Sequence, residues 1–158
     1  MNITKFILKN KSIKIIADDN TVVNNQTLEG LIKKNLIVLQ QNNIKRNDNV
    51  AIVLNNSIDF VVSFFSIVNV AVSAPLNPNY TTEEFITYLQ DLKVDAIIIE
   101  EKNFINASRA AKKLKLPIIE YRKSKDNFSG KIDLIKIQSN NKSKKFNKDK
   151  KNNFNYLK

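Results

Sequence analysis

The chain has 158 residues, 42% of them hydrophobic, which suits one domain with its own core. It contains no cysteine and no histidine, which excludes disulfides, thiolate nucleophiles, Cys–His dyads, histidine-dependent triads and the usual zinc sites. The net charge is +11, and residues 139–158 alone carry seven lysines and one aspartate.

The N-terminal part predicts a small hairpin and a helix. MNITKFILKNKS lacks the apolar core and cleavage site of a secretory signal, so we expect a cytoplasmic protein. The runs Ser12–Ala17 and Thr21–Val23 flank Asp18-Asp19-Asn20, a pattern that favours a short β-hairpin. Apolar residues recur with a helical period from Gln26 to about Asn42, which indicates an amphipathic helix.

A buried strand and an apolar helix are predicted after a polar turn at residues 45–48. Val50–Leu54 is a continuous apolar run, typical of a strand buried on both faces. Asn56 or Ser57 is expected to cap the next helix, with Asp59 in its first turn. The apolar region from residue 58 to 76 contains polar residues and ends at a proline, so it predicts a buried helix followed by a buried strand rather than a membrane span.

The rest of the chain continues this alternation of strands and helices. It predicts strands at Val70–Leu76, Val94–Ile99, Leu116–Tyr121 and, half-exposed, Lys131–Gln138, and helices at Thr82–Leu92 and Asn103–Leu114. Such alternation implies right-handed crossovers, and therefore an α/β fold with a mostly parallel sheet covered by helices.

The stretch APLNPNYTTEEFITYL, residues 74–89, combines several strong local signals. Pro75 and Pro78 each fix φ and push the preceding residue toward extended backbone, so no helix continues through them. Thr81 and Glu84 have the spacing of a capping box. The stretch is therefore predicted to be a strand end, a stiff loop and a helix start.

This region carries a family resemblance. NDNVAIVLNNSIDFVVSFFSIV (47–68) and APLNPNYTTEEFITYLQDLKVDAIII (74–99), with the helix at 26–48 before them, resemble the N-terminal part of AMP-binding, adenylate-forming enzymes. Among these, the Ala-Pro-Leu-Asn form is most similar to oxalate-type and 4-coumarate-type CoA ligases. Asn47 departs from the family's usual glycine, and Asn69-Val70-Ala71 from its Ala-Gly pair; asparagine is tolerable there because it can adopt positive φ.

The resemblance implies a two-step reaction that uses ATP, Mg²⁺ and CoA: acyl-adenylate formation, then thioester formation. The family holds the nucleotide with a small-residue phosphate loop, because backbone amides must approach the phosphates closely. This chain has only Gly30 and Gly130, and Gly130-Lys131 does not fit the P-loop pattern because Lys125 and Ile132 occupy two of its positions. The expectation is a fragment truncated before that loop, inactive alone and without cofactors of its own.

No catalytic, cofactor-binding or metal-binding residue is predicted. The residues carried over from the family are structural. Pro75, Leu76, Asn77 and Tyr80 shape the strand exit, the loop by which the chain leaves the strand, and Thr81 with Glu84 starts the next helix. Residues 1–138 are predicted to form a partial N-terminal subdomain and residues 139–158 a disordered Lys/Asn-rich tail.

Three hypotheses remain open. The chain is the N-terminal fragment of a CoA ligase that pairs with a separately encoded remainder; or a small basic module whose tail contacts nucleic acid or an anionic membrane surface; or a degraded product without function. The first is favoured, and nucleic acid is not the expected partner.

Overall fold

The computed structural model describes Thr4, Lys9, Asn10, Asn20, residues 14–16 and 22–122, and the backbone of residues 123 and 132–136. Strands β1 (Lys14–Ile16) and β2 (Val22–Asn24) pair antiparallel. Asn20 has a φ of 62°, in the left-handed region that tight hairpin turns require. The predicted hairpin is confirmed, although Asp18 and Asp19 lie outside the described residues.

The remaining elements form one sheet with helices on both faces. In chain order they are α1 (Asn25–Gln41), β3 (Asn49–Val53), α2 (Ile58–Val68), β4 (Val72–Pro75), α3 (Thr82–Asp91), β5 (Ala96–Ile99), α4 (Ile105–Lys113), β6 (Ile118–Lys123) and β7 (Ile132–Lys136). The strand order is β4-β3-β5-β6-β7, in which the first four strands are parallel and β7 is antiparallel to β6. The mostly parallel α/β sheet is therefore confirmed.

Two apolar cores lie on opposite faces of this sheet. One face packs against α1 and α2 through a core that includes Ile32, Ile52 and Ile67. The other face packs against α3 and α4 through Val53, Phe85 and Ala110 among others. Because both faces are covered, the inner strands consist of uninterrupted apolar residues, as parallel sheets generally do.

The prediction that β4 is buried is wrong. The sequence predicts a buried strand here, but β4 is the first strand of the sheet order and Val72 is 52% exposed. Apolar character alone does not reveal whether a strand has one neighbour or two. The helix before it ends at Val68, and no helix in the described part of the chain is long and apolar enough to cross a membrane.

Three helices are followed by a non-glycine residue whose backbone is in the left-handed conformation. Asn43, Lys93 and Lys115 have φ of 59°, 48° and 56°, and each follows its helix by two positions. After each of them, the next N–H returns to a carbonyl of the last helical turn, which is the hydrogen bond of a Schellman motif. Asn47 is not among the residues with positive φ, so the proposed reason for tolerating it in place of glycine is wrong.

Candidate functional site

The candidate site is the edge of the sheet where the four parallel strands end, since ligands of open α/β sheets bind at that edge. The strand exit after β4 is fixed by the backbone. The Leu76 N–H donates to the Ile52 carbonyl at 3.0 Å, so the exit is anchored to the central strand β3. The Asn77 side chain then accepts a hydrogen bond from the Asn79 N–H at 3.0 Å, which closes a turn around Pro78.

The capping box at the start of α3 is confirmed. The Thr81 Oγ1 accepts from the Glu84 N–H at 3.3 Å, and Glu84 Oε2 accepts from the Thr81 N–H at 2.8 Å. Hydrogen bonds from the Thr81 backbone and hydroxyl to the carboxylate lower the pKa of Glu84. The carboxylate is therefore held in its charged form at the positive end of the helix dipole.

Tyr80 connects this loop to two helices. Its ring packs edge-on against Phe85, with centroids 5.6 Å apart, and stacks on Tyr88 at 4.8 Å. A hydrogen bond with Tyr88 raises the pKa of Tyr80. Asn106 on α4 donates to the Tyr80 carbonyl at 3.2 Å, so the loop is tied to both helices on that face.

A second group of polar residues lies beneath α2. Tyr121 on β6 is buried, and this burial raises its pKa; the side chain of Asp59 raises it further, and Glu100 adds a smaller effect. The Tyr121 hydroxyl lies beside the Asp59 carboxyl, and both the hydroxyl and Asp59 Oδ1 are shielded from solvent. Sequence reasoning placed Asp59 in the first turn of its helix correctly, but it did not foresee that the carboxylate is buried beside a tyrosine.

The acidic side chain of Glu101, in the loop after β5, is paired with a lysine of α4. Partial burial raises the pKa of Glu101, but hydrogen bonds from Lys112 and Ser108 outweigh it, and the net shift is downward. The Lys112 Nζ lies 2.6 Å from Glu101 Oε2 and the Ser108 Oγ lies 2.9 Å from it. This arrangement attaches the loop after β5 to the first and last turns of α4.

Among the described residues, the one glycine lies inside a helix rather than in a loop. Gly30 lies within α1, and a Cβ placed on it would meet nothing within 4 Å. Within the described ranges, no three acidic residues are grouped so that they could hold a metal ion. Gly130 lies outside the described residues.

Comparison with known proteins identifies the family. Residues 37–156 match the AMP-binding enzyme family, which is more than half of the chain. The chain belongs to the AMP-binding enzyme family. The match includes most of the predicted tail at residues 139–158, and the domain boundary at residue 138 stays a prediction.

Curated relatives in this family are CoA ligases. The chain is 46% identical over 55 residues to an oxalate–CoA ligase of Saccharomyces cerevisiae, a match that covers 34% of this chain and 10% of that protein. It is 38% identical over 74 residues to an oxalate–CoA ligase of Arabidopsis thaliana, which covers 46% of this chain and 14% of that protein. The matched segments are therefore a small part of these relatives.

Solved structures of this family have the same fold. A benzoate CoA ligase from Burkholderia xenovorans superposes with a TM-score of 0.68 at 14% identity, covering 77% of this chain and 26% of that one. The AMP-binding enzyme family is ATP-dependent and uses CoA. This chain corresponds to the N-terminal region of its acyl-CoA synthetase members, as the sequence predicts.

Proposed function

We propose that this chain is the N-terminal part of an acid–CoA ligase, an enzyme that converts a carboxylate and ATP into an acyl-adenylate and then into a CoA thioester. The observation that carries the proposal is the 38% identity to the Arabidopsis thaliana oxalate–CoA ligase over 74 residues, together with the shared fold. The proposed location of this activity is the cytoplasm.

In this proposal the described residues provide the frame of the ligase and take no part in bond making. The hydrogen bond from Leu76 to β3, the Asn77 turn and the capping box hold the strand exit rigid. A rigid exit matters because groups that position substrates must be held within a fraction of an ångström by the surrounding structure. We assign no catalytic, cofactor or metal role to any residue.

We also propose that residues 1–158 have no ligase activity by themselves. The one glycine among the described residues lies within a helix, so they offer no glycine loop for phosphates, and the matched segments make up 10–14% of the two curated relatives. The nucleotide-binding groups must then come from further sequence of the same ligase, either in the same polypeptide or as a separately encoded remainder.

A chimeric enzyme tests this function. In the Arabidopsis thaliana ligase, residues 1–136 of this chain would replace the equivalent N-terminal segment, and oxalyl-CoA formation would be measured. We expect kcat/KM within about tenfold of the parent enzyme, a loss of about 1.4 kcal/mol in transition-state binding. A chimera that melts cooperatively near the parent temperature but forms no thioester would overturn the proposal.

The control chimera carries Ile52→Asp in the centre of β3, where an unpaired carboxylate would be fully buried. It should lose its fold and its activity together. The basic-module hypothesis depends on residues 139–158, and no observation on the described residues favours it.

A further inference from the structure

Two polar side chains on helices α1 and α2 are buried without a hydrogen-bond partner among the described residues. Their atoms are Asn35 Nδ2 and Ser63 Oγ, and both residues are 1% exposed. Buried polar groups in folded proteins are nearly always hydrogen-bonded, because an unmade bond leaves the loss of hydration uncompensated. Each of the two atoms therefore requires a partner that the described side chains around it do not supply.

Both atoms lie in the layer between α1, α2 and the sheet. Helix α1 packs against α2, and Asn35 belongs to the buried face of α1. Ser63 belongs to the buried face of α2, one helical turn after Asp59. Asp59 Oδ1 is also shielded from solvent, and the Asp59 carboxyl lies beside the Tyr121 hydroxyl on β6. The two helices therefore enclose a small polar region within an apolar core.

The chemistry of these atoms selects an occupant that both donates and accepts hydrogen bonds. Asn35 Nδ2 only donates, the Asp59 carboxylate only accepts, and the Ser63 hydroxyl does both. A cation would face the amide hydrogens of Asn35, and an anion would face the carboxylate of Asp59. Water satisfies all three groups, and a buried water typically makes about three hydrogen bonds to polar groups that lack other partners.

We propose that a buried water molecule binds between α1 and α2, where it accepts a hydrogen bond from Asn35 Nδ2 and bonds to Ser63 Oγ and Asp59 Oδ1. This water joins α1 to the first two turns of α2, the helix that begins soon after β3 ends. The bridge thereby fixes the position of the two helices on this face of the sheet. The site takes no part in the proposed ligase reaction, so its test uses the 158-residue chain by itself and is independent of that proposal.

A high-resolution crystal structure of the full 158-residue chain tests the site directly. We expect water density within about 3.2 Å of Asn35 Nδ2 and of at least one of the two α2 oxygens, Ser63 Oγ and Asp59 Oδ1. Direct hydrogen bonds between Asn35 and α2, or no water density at this position, would overturn the proposal.

Substitution of Ser63 gives a second test, in which the two alternatives predict opposite changes. If the water is bound, Ser63→Ala removes one of its hydrogen bonds and should lower the folding equilibrium constant at least about threefold in urea denaturation. A buried hydroxyl with no partner is instead destabilising, so its removal would leave that constant unchanged or raise it. Either of those two results would overturn the proposal.

A double-mutant cycle tests whether Asn35 and Ser63 share the water. Asn35→Leu and Ser63→Ala should be coupled, so that the double variant is at least about threefold more stable than the product of the two single effects predicts. In the control cycle, Asn35→Leu with Ser66→Ala, the effects should multiply, because the buried Ser66 hydroxyl donates to the Val62 carbonyl within α2. Independent effects in both cycles would contradict a shared water. If a variant fails to fold, the crystal structure of the unmodified chain decides.

Discussion

Strands β3 and β4 are neighbours, run in the same direction and are both mainly apolar, yet they have opposite surroundings. Ile52 and Val53 on β3 are 0% exposed, whereas Val72 on β4 is 52% exposed. The difference comes from the order of the described strands, in which β3 has a strand on each side and β4 has a strand on one side. Position in the sheet, rather than local composition, therefore decides how much each strand contributes to stability.

The largest expected effect is at the centre of β3. Ile52→Ala should lower the free energy of unfolding by about 2–5 kcal/mol, because it leaves a cavity in a fully buried position. Urea denaturation monitored by circular dichroism would measure it. A loss below about 1 kcal/mol would mean that β3 is not the packed centre of the molecule.

A matched pair of substitutions compares the two strands directly. Val53→Thr should cost about 1–3 kcal/mol because it buries a hydroxyl without a partner, whereas Val72→Thr should change stability by at most about 0.5 kcal/mol. Thermal melts of the two variants would provide the values. Similar losses at both positions would contradict the edge location of β4.

The exit from β4 depends on local hydrogen bonds rather than on burial. Thr81→Ala removes the hydroxyl that accepts from the Glu84 N–H and should lower stability by about 1 kcal/mol. Thr87→Ala is the control, since that hydroxyl only donates to a carbonyl within the same helix. If the two variants had equal stability, the capping box would not hold the exit.

The smallest effect is the pH dependence of the same cap. The pKa of Glu84 is lower in the folded chain than in the unfolded one, so its stabilisation is present above the ordinary glutamate range and is lost as pH falls through the folded pKa. The chain should therefore melt higher than Glu84→Gln at pH 7, and this difference should shrink toward pH 3. A difference that is constant with pH would show that the carboxylate charge is not involved.

The sequence predicts the elements of this fold well, because their signals are local. The apolar run of β3, the Ser57 cap of α2 and the Thr81–Glu84 capping box are each contained in a few adjacent residues. The edge position of β4 and the burial of Asp59 beside Tyr121 depend on which distant strands pair, and no local pattern encodes that.

In the candidate site, too, local features could be predicted from the sequence and features that depend on strand pairing could not. The residues of the strand exit could be located from their spacing, and the structure brings Tyr80 against Phe85 and Tyr88 as part of that exit. The position of β4 at the edge of the sheet could not be located in advance, because the strand order depends on pairing between segments that are distant in the sequence.

Acyl-adenylate formation by the purified 158-residue chain tests the central claim most directly. The chain would be incubated with ATP, Mg²⁺ and a panel of carboxylic acids that includes oxalate, and the products would be analysed by mass spectrometry. We expect no adenylate above the level of a protein-free reaction, because under the proposed function the chain supplies the frame of the ligase and not its nucleotide site. Adenylate produced over repeated turnovers would contradict this account.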